Sequence, residues 1–97
     1  MISVVLTREA ESDLEDIADH IAVDSPSRAK SFVTELRRKA ENIGYMPHAH
    51  PPRPNLGKNV RIAVHGRYVI IFRDLPRQVV VLRIVHGARD LPGLFEE

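Results

Sequence analysis

Six side chains in the C-terminal half of this chain could recognise an anion or move a proton: Arg61, Tyr68, Arg83, His86, Arg89 and Asp90. Four of them fall in one stretch, "VVVLRIVHGARD", residues 79 to 90, where an apolar run gives way to arginine, histidine, arginine and aspartate. Arginine suits phosphate or carboxylate because its planar fork pairs with two oxygens at once. The bland alternative is that each arginine only pairs with a nearby carboxylate. A histidine where a strand ends can be a general acid or base, or can simply be hydrogen-bonded to the backbone. Arg89 and Asp90 can equally form a salt bridge that pins the tail. Both readings stand at this point.

His48-Ala49-His50 places two imidazoles two positions apart. Zinc takes three or four ligands, and the spacing supplies no third, so no metal is expected. The chain has no Ser/His/Asp arrangement, no glycine-rich phosphate loop and no dinucleotide fingerprint, and it implies no cofactor.

The elements that must position these residues follow from periodicity. "ISVVL" reads as a first strand, with β-branched residues in a short apolar run. Thr7 offers an N-cap, and Ala10, Leu14, Ile17, Ala18 and Ile21 recur at helical spacing. The opposite face of that helix carries Glu9, Glu11, Glu15, Asp16 and Asp19, a solvated acidic surface. Ser25-Pro26 is a second helix start, a capping serine with proline in the first turn. Ala29, Phe32, Val33, Leu36, Ala40 and Ile43 give its apolar stripe, and Gly44 and Pro47 close it. The short link predicts an antiparallel helical hairpin.

"MPHAHPPRPNLGKN" holds four of the seven prolines and reads as a loop with a functional or covering role. Three strands are expected after it, "VRIAVH", "YVIIF" and "QVVVLRIVH", joined by turns at Gly66-Arg67 and "DLPR". The last is apolar on both faces, so it should be central. The fold class is therefore α+β, in the order β-α-α-β-β-β, with the hairpin on one face of a small antiparallel sheet. Strict alternation puts Val79, Val81, Arg83 and Val85 on one face of the last strand and Val80, Leu82, Ile84 and His86 on the other. The hairpin is expected over Val60, Ile62 and Val64, leaving Arg61 and His65 on the far face. If Arg83 lies there too, two arginines share a partly apolar hollow.

Ninety-seven residues argue for one domain, 1–97, with one small core. No apolar run approaches the roughly 20 residues that cross a bilayer. "MISVVLTREA" lacks the basic and apolar regions of a signal peptide, and the absence of cysteine fits a reducing cytoplasm. Net charge is +1, but unevenly spread. Residues 1–45 carry six Lys/Arg against nine Asp/Glu, and residues 46–97 carry eight against four. A nucleic-acid-coating domain is far more basic overall, although the basic half can touch an anionic partner through a local patch.

Taken together, "REAESDLEDIADHIAVDSPSRAKSFVTELRRKAENI", "YVIIFR" and "VVVLRIVHGARD" resemble the RelE/ParE superfamily of toxins from type II toxin–antitoxin modules. The most specific residues are Asp13-Leu14, Ile17, Ser25-Pro26, Arg61, Tyr68, Arg83, His86, Gly87, Arg89 and Asp90. The resemblance implies a helical hairpin on a small antiparallel sheet. It also implies one of two activities. RelE-like members cut messenger RNA in the ribosomal A site with basic residues and a terminal Tyr or His. ParE-like members lack most of that set and poison DNA gyrase. This chain ends "HGARDLPGLFEE", without a tyrosine after the last strand, and only Lys58 stands ahead of Arg61, which is similar to the ParE branch. An inhibitor without catalytic residues is thus implied. Arg61, Tyr68, Arg83, His86, Arg89 and Asp90 would form its recognition surface. Its implied partners are a ParD-like antitoxin and gyrase, with no membrane and no sequence-specific nucleic acid. If the chain is instead a RelE-like ribonuclease, Arg61 and Arg83 would stabilise the phosphate and His86 would be the acid. A decayed toxin that only pairs with its antitoxin is the third reading.

Overall fold

Two hydroxyl caps start the helices. The Thr7 side chain accepts the Ala10 N–H at 3.1 Å, and α1 runs Arg8–Ala22. Ser25 accepts the Arg28 N–H at 3.2 Å, with Pro26 in the first turn, and α2 runs Pro26–Asn42. Each such cap contributes about 1 kcal/mol by satisfying an N–H that the helix itself leaves open. In this computed structural model, which describes residues 1–95, the hairpin lies on four strands. These are β1 Ser3–Leu6, β2 Val60–His65, β3 Tyr68–Leu75 and β4 Gln78–His86. Three-residue 3-10 turns punctuate the segment before β2, and another turn, Pro92–Phe95, follows β4. The element order is the one periodicity predicts.

The sheet order is β1-β4-β3-β2. β2, β3 and β4 are antiparallel neighbours, as the short turns require. The sheet is nevertheless mixed rather than wholly antiparallel, because β1 pairs with β4 in parallel, Ser3 opposite Gln78 through Leu6 opposite Val81. The intervening hairpin is long enough to return the chain for such a pairing. β4 is central, as its two apolar faces demand. Gly44, just past α2, fixes how α2 meets β1. Its carbonyl accepts the Ile2 N–H at 2.9 Å, and a Cβ there would run into the Ile2 carbonyl oxygen.

Each face of the sheet has its own apolar layer. The hairpin supplies Ala10, Leu14, Ile17, Leu36, Ala40 and Ile43, which pack on Ala63, Ile70, Phe72, Val79, Val81 and Ile84. On the far face, Val60, Ile62, Val69, Ile71 and Val85 are covered by Leu56, Leu91, Leu94 and Phe95. Two expectations are corrected here. The hairpin covers the Ala63 side of β2, so Arg61 and His65 lie on the helical side, and Val60 and Ile62 are the far-face residues. The far face is not open, and its lid of leucines and Phe95 gave those residues an apolar home. The alternation along β4 is also broken. A bulge opposite Ile71/Phe72 inserts one residue, so Val81 and Ile84 share the helical face while Val85 turns to the far one.

No helix among the described residues is long and apolar enough to cross a membrane. The proline-rich segment covers part of an edge. The Arg53 N–H donates to the Val60 carbonyl at 2.8 Å, and the Ile62 N–H donates to the Pro51 carbonyl at 3.2 Å. The first half of β2 is thereby paired on its outer side, which blunts an exposed strand edge.

Candidate functional site

The two arginines expected to share a hollow are held apart, each by its own carboxylate. Arg61 donates through Nε to Asp74 Oδ2 at 3.1 Å and through Nη1 to the His50 carbonyl at 2.7 Å. Asp74 is nearly buried and also meets His48 Nε2 at 3.1 Å. Arg83 makes a two-pronged pair with Asp13 of α1, Nε to Oδ2 at 2.8 Å and Nη2 to Oδ1 at 2.9 Å. Asp13 Oδ2 accepts the Ile84 N–H as well, at 2.9 Å. This carboxylate holds the Arg83 guanidinium above its ordinary basicity, against the opposing effect of burial. The reason is the bulge and the free edge of β4. Beyond β1, the β4 backbone needs partners, and α1 with its leading turn supplies them. Thr7 donates its N–H to the Val81 carbonyl at 3.0 Å and its hydroxyl to Leu82 O at 2.9 Å. The shared hollow of Arg61 and Arg83 therefore does not form.

Tyr68 and His86 are brought together. They are direct partners at the last rung of the β3–β4 ladder, with ring centroids 5.6 Å apart in an edge-to-face arrangement. Phe32 of α2 lies 5.5 Å from Tyr68 and 5.6 Å from His65, so four rings run in series across the end of the sheet. The Arg28 guanidinium sits 5.0 Å over the Phe32 ring, a cation–π contact. Arg28 also reaches Glu35 at 2.7 Å, and Glu35 meets His65 Nε2 at 3.3 Å. The hydrogen bond from Arg28 draws the Glu35 carboxyl below its ordinary value, against the opposing effect of desolvation, with His65 adding a lesser pull in the same direction as Arg28. Between the rings and the helix ends lies an open cleft of about 460 Å³, lined by His20, Ile21, Arg28, Phe32, Gly66, Arg67, Tyr68 and His86. Its walls are the end of α1, the start of α2, the β2–β3 turn and the end of β4.

His86 is exposed, and its Nδ1 accepts the Ala88 N–H at 3.1 Å. That acceptor role puts the proton of the neutral ring on Nε2. Arg89 joins Tyr68 and His86 around a smaller neighbouring depression that also includes Asp13 and Asp16. Arg89 and Asp90 are both exposed and form no ion pair with each other among the described residues. The cleft can stack a planar or apolar group between aromatic faces and meet a negative charge with Arg67 and the imidazoles.

The two loop histidines do not share an ion. His48 turns to Asp74, while the His50 ring packs edge-on against Phe72 at 5.6 Å. Among the described residues, no group of three or more metal-ligating side chains converges. Sequence reasoning missed Phe32, Arg28 and His20 as members of the cleft. Phe32 read as one more apolar position of α2, although Arg28 four residues before it already marked a ring with a cation above it.

The model of one protein family, the ParE toxin of the parDE type II toxin–antitoxin system, matches residues 4–91. Among solved structures, one from the chromosomal ParDE system of P. aeruginosa superposes with a TM-score of 0.75 at 26% identity, covering 89% of this chain and 96% of that one. Another, from the RelBE2 toxin–antitoxin complex of Mycobacterium tuberculosis, shares the fold with a TM-score of 0.65 at 23% identity, covering 88% and 96%. Among curated proteins, no match is found. With the family pattern running from β1 to the turn after β4, the chain belongs to the ParE toxins of type II toxin–antitoxin systems.

Proposed function

We propose that this chain inhibits DNA gyrase in the cytoplasm, is neutralised by a ParD-like antitoxin, and meets its target through the corner formed by Tyr68, His86, Arg89 and Asp90. The observation that carries the reading is how the arginines are used. A ribonuclease needs a guanidinium aimed at the charge that develops on phosphate. Here Arg61 and Arg83 each direct Nε at a carboxylate. What remains open is an aromatic cleft with exposed polar rims, a surface suited to gripping a protein rather than to splitting a phosphodiester. Membership of the ParE family supports the same reading, as does the resemblance to a ParDE system, and an antitoxin partner follows from that resemblance.

The test runs two assays on one preparation of toxin refolded away from its antitoxin. One is gyrase supercoiling; the other is ribosome-dependent cleavage of messenger RNA. Lost supercoiling with intact message is expected. Cut message with normal gyrase activity would overturn the proposal and give His86 a catalytic role. In that event His86→Ala should lower the cleavage rate by about 10²–10⁴-fold, whereas a gyrase inhibitor loses only part of its affinity.

A further inference from the structure

The cations of the sheet half are neither evenly spread nor evenly matched. Between residues 46 and 85 there are seven Lys/Arg and a single carboxylate, Asp74. Asp74 is taken by Arg61 and His48, and Arg83 is taken by Asp13. Of the five that remain, Arg67 belongs to the aromatic cleft at one end of the sheet. The other four, Arg53, Lys58, Arg73 and Arg77, gather at the opposite end. Arg53 is bonded through its backbone to Val60, and Val60 is the ladder partner of Arg73. Arg77 sits in the turn that follows β3, and Lys58 in the turn that leads into β2. Arg53 and Arg73 thus flank one rung, roughly 10 Å apart at two inter-strand spacings. None of the four makes an ion pair among the described residues.

Two further features point to an anion. Arg73 Nε is buried with no hydrogen-bond partner, so this one N–H bears a desolvation cost that no acceptor among the described residues offsets. Beside it, the turn Gly57–Val60 holds Asn59 in the left-handed region at φ 62° and lines a cavity of about 350 Å³ with Pro52, Pro54 and Arg61. The N–H groups of Lys58 and Asn59 in that turn make no hydrogen bond among the described residues. Cationic side chains with open backbone N–H groups are how proteins hold phosphate oxygens without reading sequence.

We infer that the corner formed by Arg53, Lys58, Arg73 and Arg77 binds the phosphate backbone of duplex DNA, independently of base sequence. An acidic peptide is the rival occupant. A peptide that folds on binding needs apolar seats between its charges, and the open aromatic cleft lies at the other end of the sheet, while Phe95 on this side is already packed on the cluster of Leu56 and Val60. In gyrase poisoning, a reading on which this last step rests, the corner would touch the DNA that the enzyme holds. Binding of free DNA does not depend on that reading.

The experiment measures fluorescence anisotropy of a labelled 20-base-pair duplex of arbitrary sequence, titrated with refolded full-length toxin at salt concentrations from about 50 to about 200 mM. Four phosphate contacts give a log–log slope of about −3.6, and removing two lowers it to about −1.8. Arg53→Ala combined with Arg77→Ala is the test variant, since both side chains are exposed and the fold does not lean on them. Lys30→Ala, an exposed cation on α2 outside both surfaces, is the control and should leave the slope unchanged. The inference is overturned by absent binding at the lowest salt, or by a slope indifferent to the double change. It is also overturned if the double change weakens capture of an acidic antitoxin peptide while leaving DNA binding as it was. Gyrase takes no part, so failure here is separate from failure of the proposed activity.

Discussion

Asp13 is the residue on which the end of the sheet depends. Its side chain is 9% exposed and accepts three hydrogen bonds, two from Arg83 and one from the Ile84 N–H. A carboxylate taken out of water is tolerable only when its oxygens are satisfied in this way. Arg83 is about a quarter exposed, so water screens part of the pair. Asp13→Ala should therefore cost on the order of 2–3 kcal/mol, less than a fully buried pair, because it leaves a backbone N–H and a guanidinium without acceptors. A urea midpoint equal to wild type would show that the pair contributes nothing. Asp13→Leu with Arg83→Met should recover much of the loss, since an apolar pair of similar size removes both unmet groups together. The sequence marks Asp13 only through the family resemblance. On the helical wheel it falls between the apolar stripe and the acidic face, and nothing local names a partner seventy residues away.

At the scale of elements, the proline segment behaves as a fastened strap along β2. Arg53 and Ile62 bond it to the strand edge, Arg61 holds the His50 carbonyl, and the His50 ring rests on Phe72. Burial lowers the His50 pKa below its usual value, and the positive charges of Lys39 and Arg61 lower it further; the Asp74 carboxylate is engaged by Arg61 and His48. The folded chain thus prefers neutral His50, and the unfolded chain binds the proton more readily. Stability from this group is present above the ordinary histidine pKa and lost as pH falls below it. The thermal midpoint should drop between about pH 7.5 and about pH 5.5, and His50→Phe should lose part of that drop while keeping the ring contact. An equal acid sensitivity in the variant would refute the assignment. The helices, their caps and the order of elements along the chain were all legible, because cap chemistry and apolar spacing are local; the parallel pairing of β1 with β4 was not. Which face of β2 meets the hairpin was not. Val60, Ile62 and Ala63 are all apolar, and the choice was made by Leu56, Leu91, Leu94 and Phe95, a lid that no period announces. The bulge at β4 escaped for a similar reason, since "VVVLRIV" reads as unbroken strand in either register.

At the scale of the whole molecule, β3 joins two surfaces of different chemistry. Tyr68 opens the strand at the aromatic cleft, and Arg73 lies near its far end beside the Arg77 turn. Eight residues of strand separate the two ends by roughly 25 Å. β3 lies between β2 and β4 with both faces covered, so it acts as a rigid spacer rather than a hinge. Two contacts on a rigid body, well beyond about 10 Å apart and sharing no partner, contribute additively to binding free energy. If the cleft corner grips gyrase while the basic corner touches its DNA, His86→Ala and Arg77→Ala should each raise the toxin concentration needed to halt supercoiling. In the double variant the two factors should multiply. Both side chains are exposed; Arg77→Ala removes no ion pair among the described residues, and His86→Ala gives up only its Tyr68 contact and the Ala88 hydrogen bond, so circular dichroism should show both variants folded. High salt should erase the Arg77 factor and leave most of the His86 factor, because only the phosphate contact is a counterion-release interaction. A double variant no worse than the weaker single one would mean that both residues act through one contact, and the two-ended arrangement would then fall.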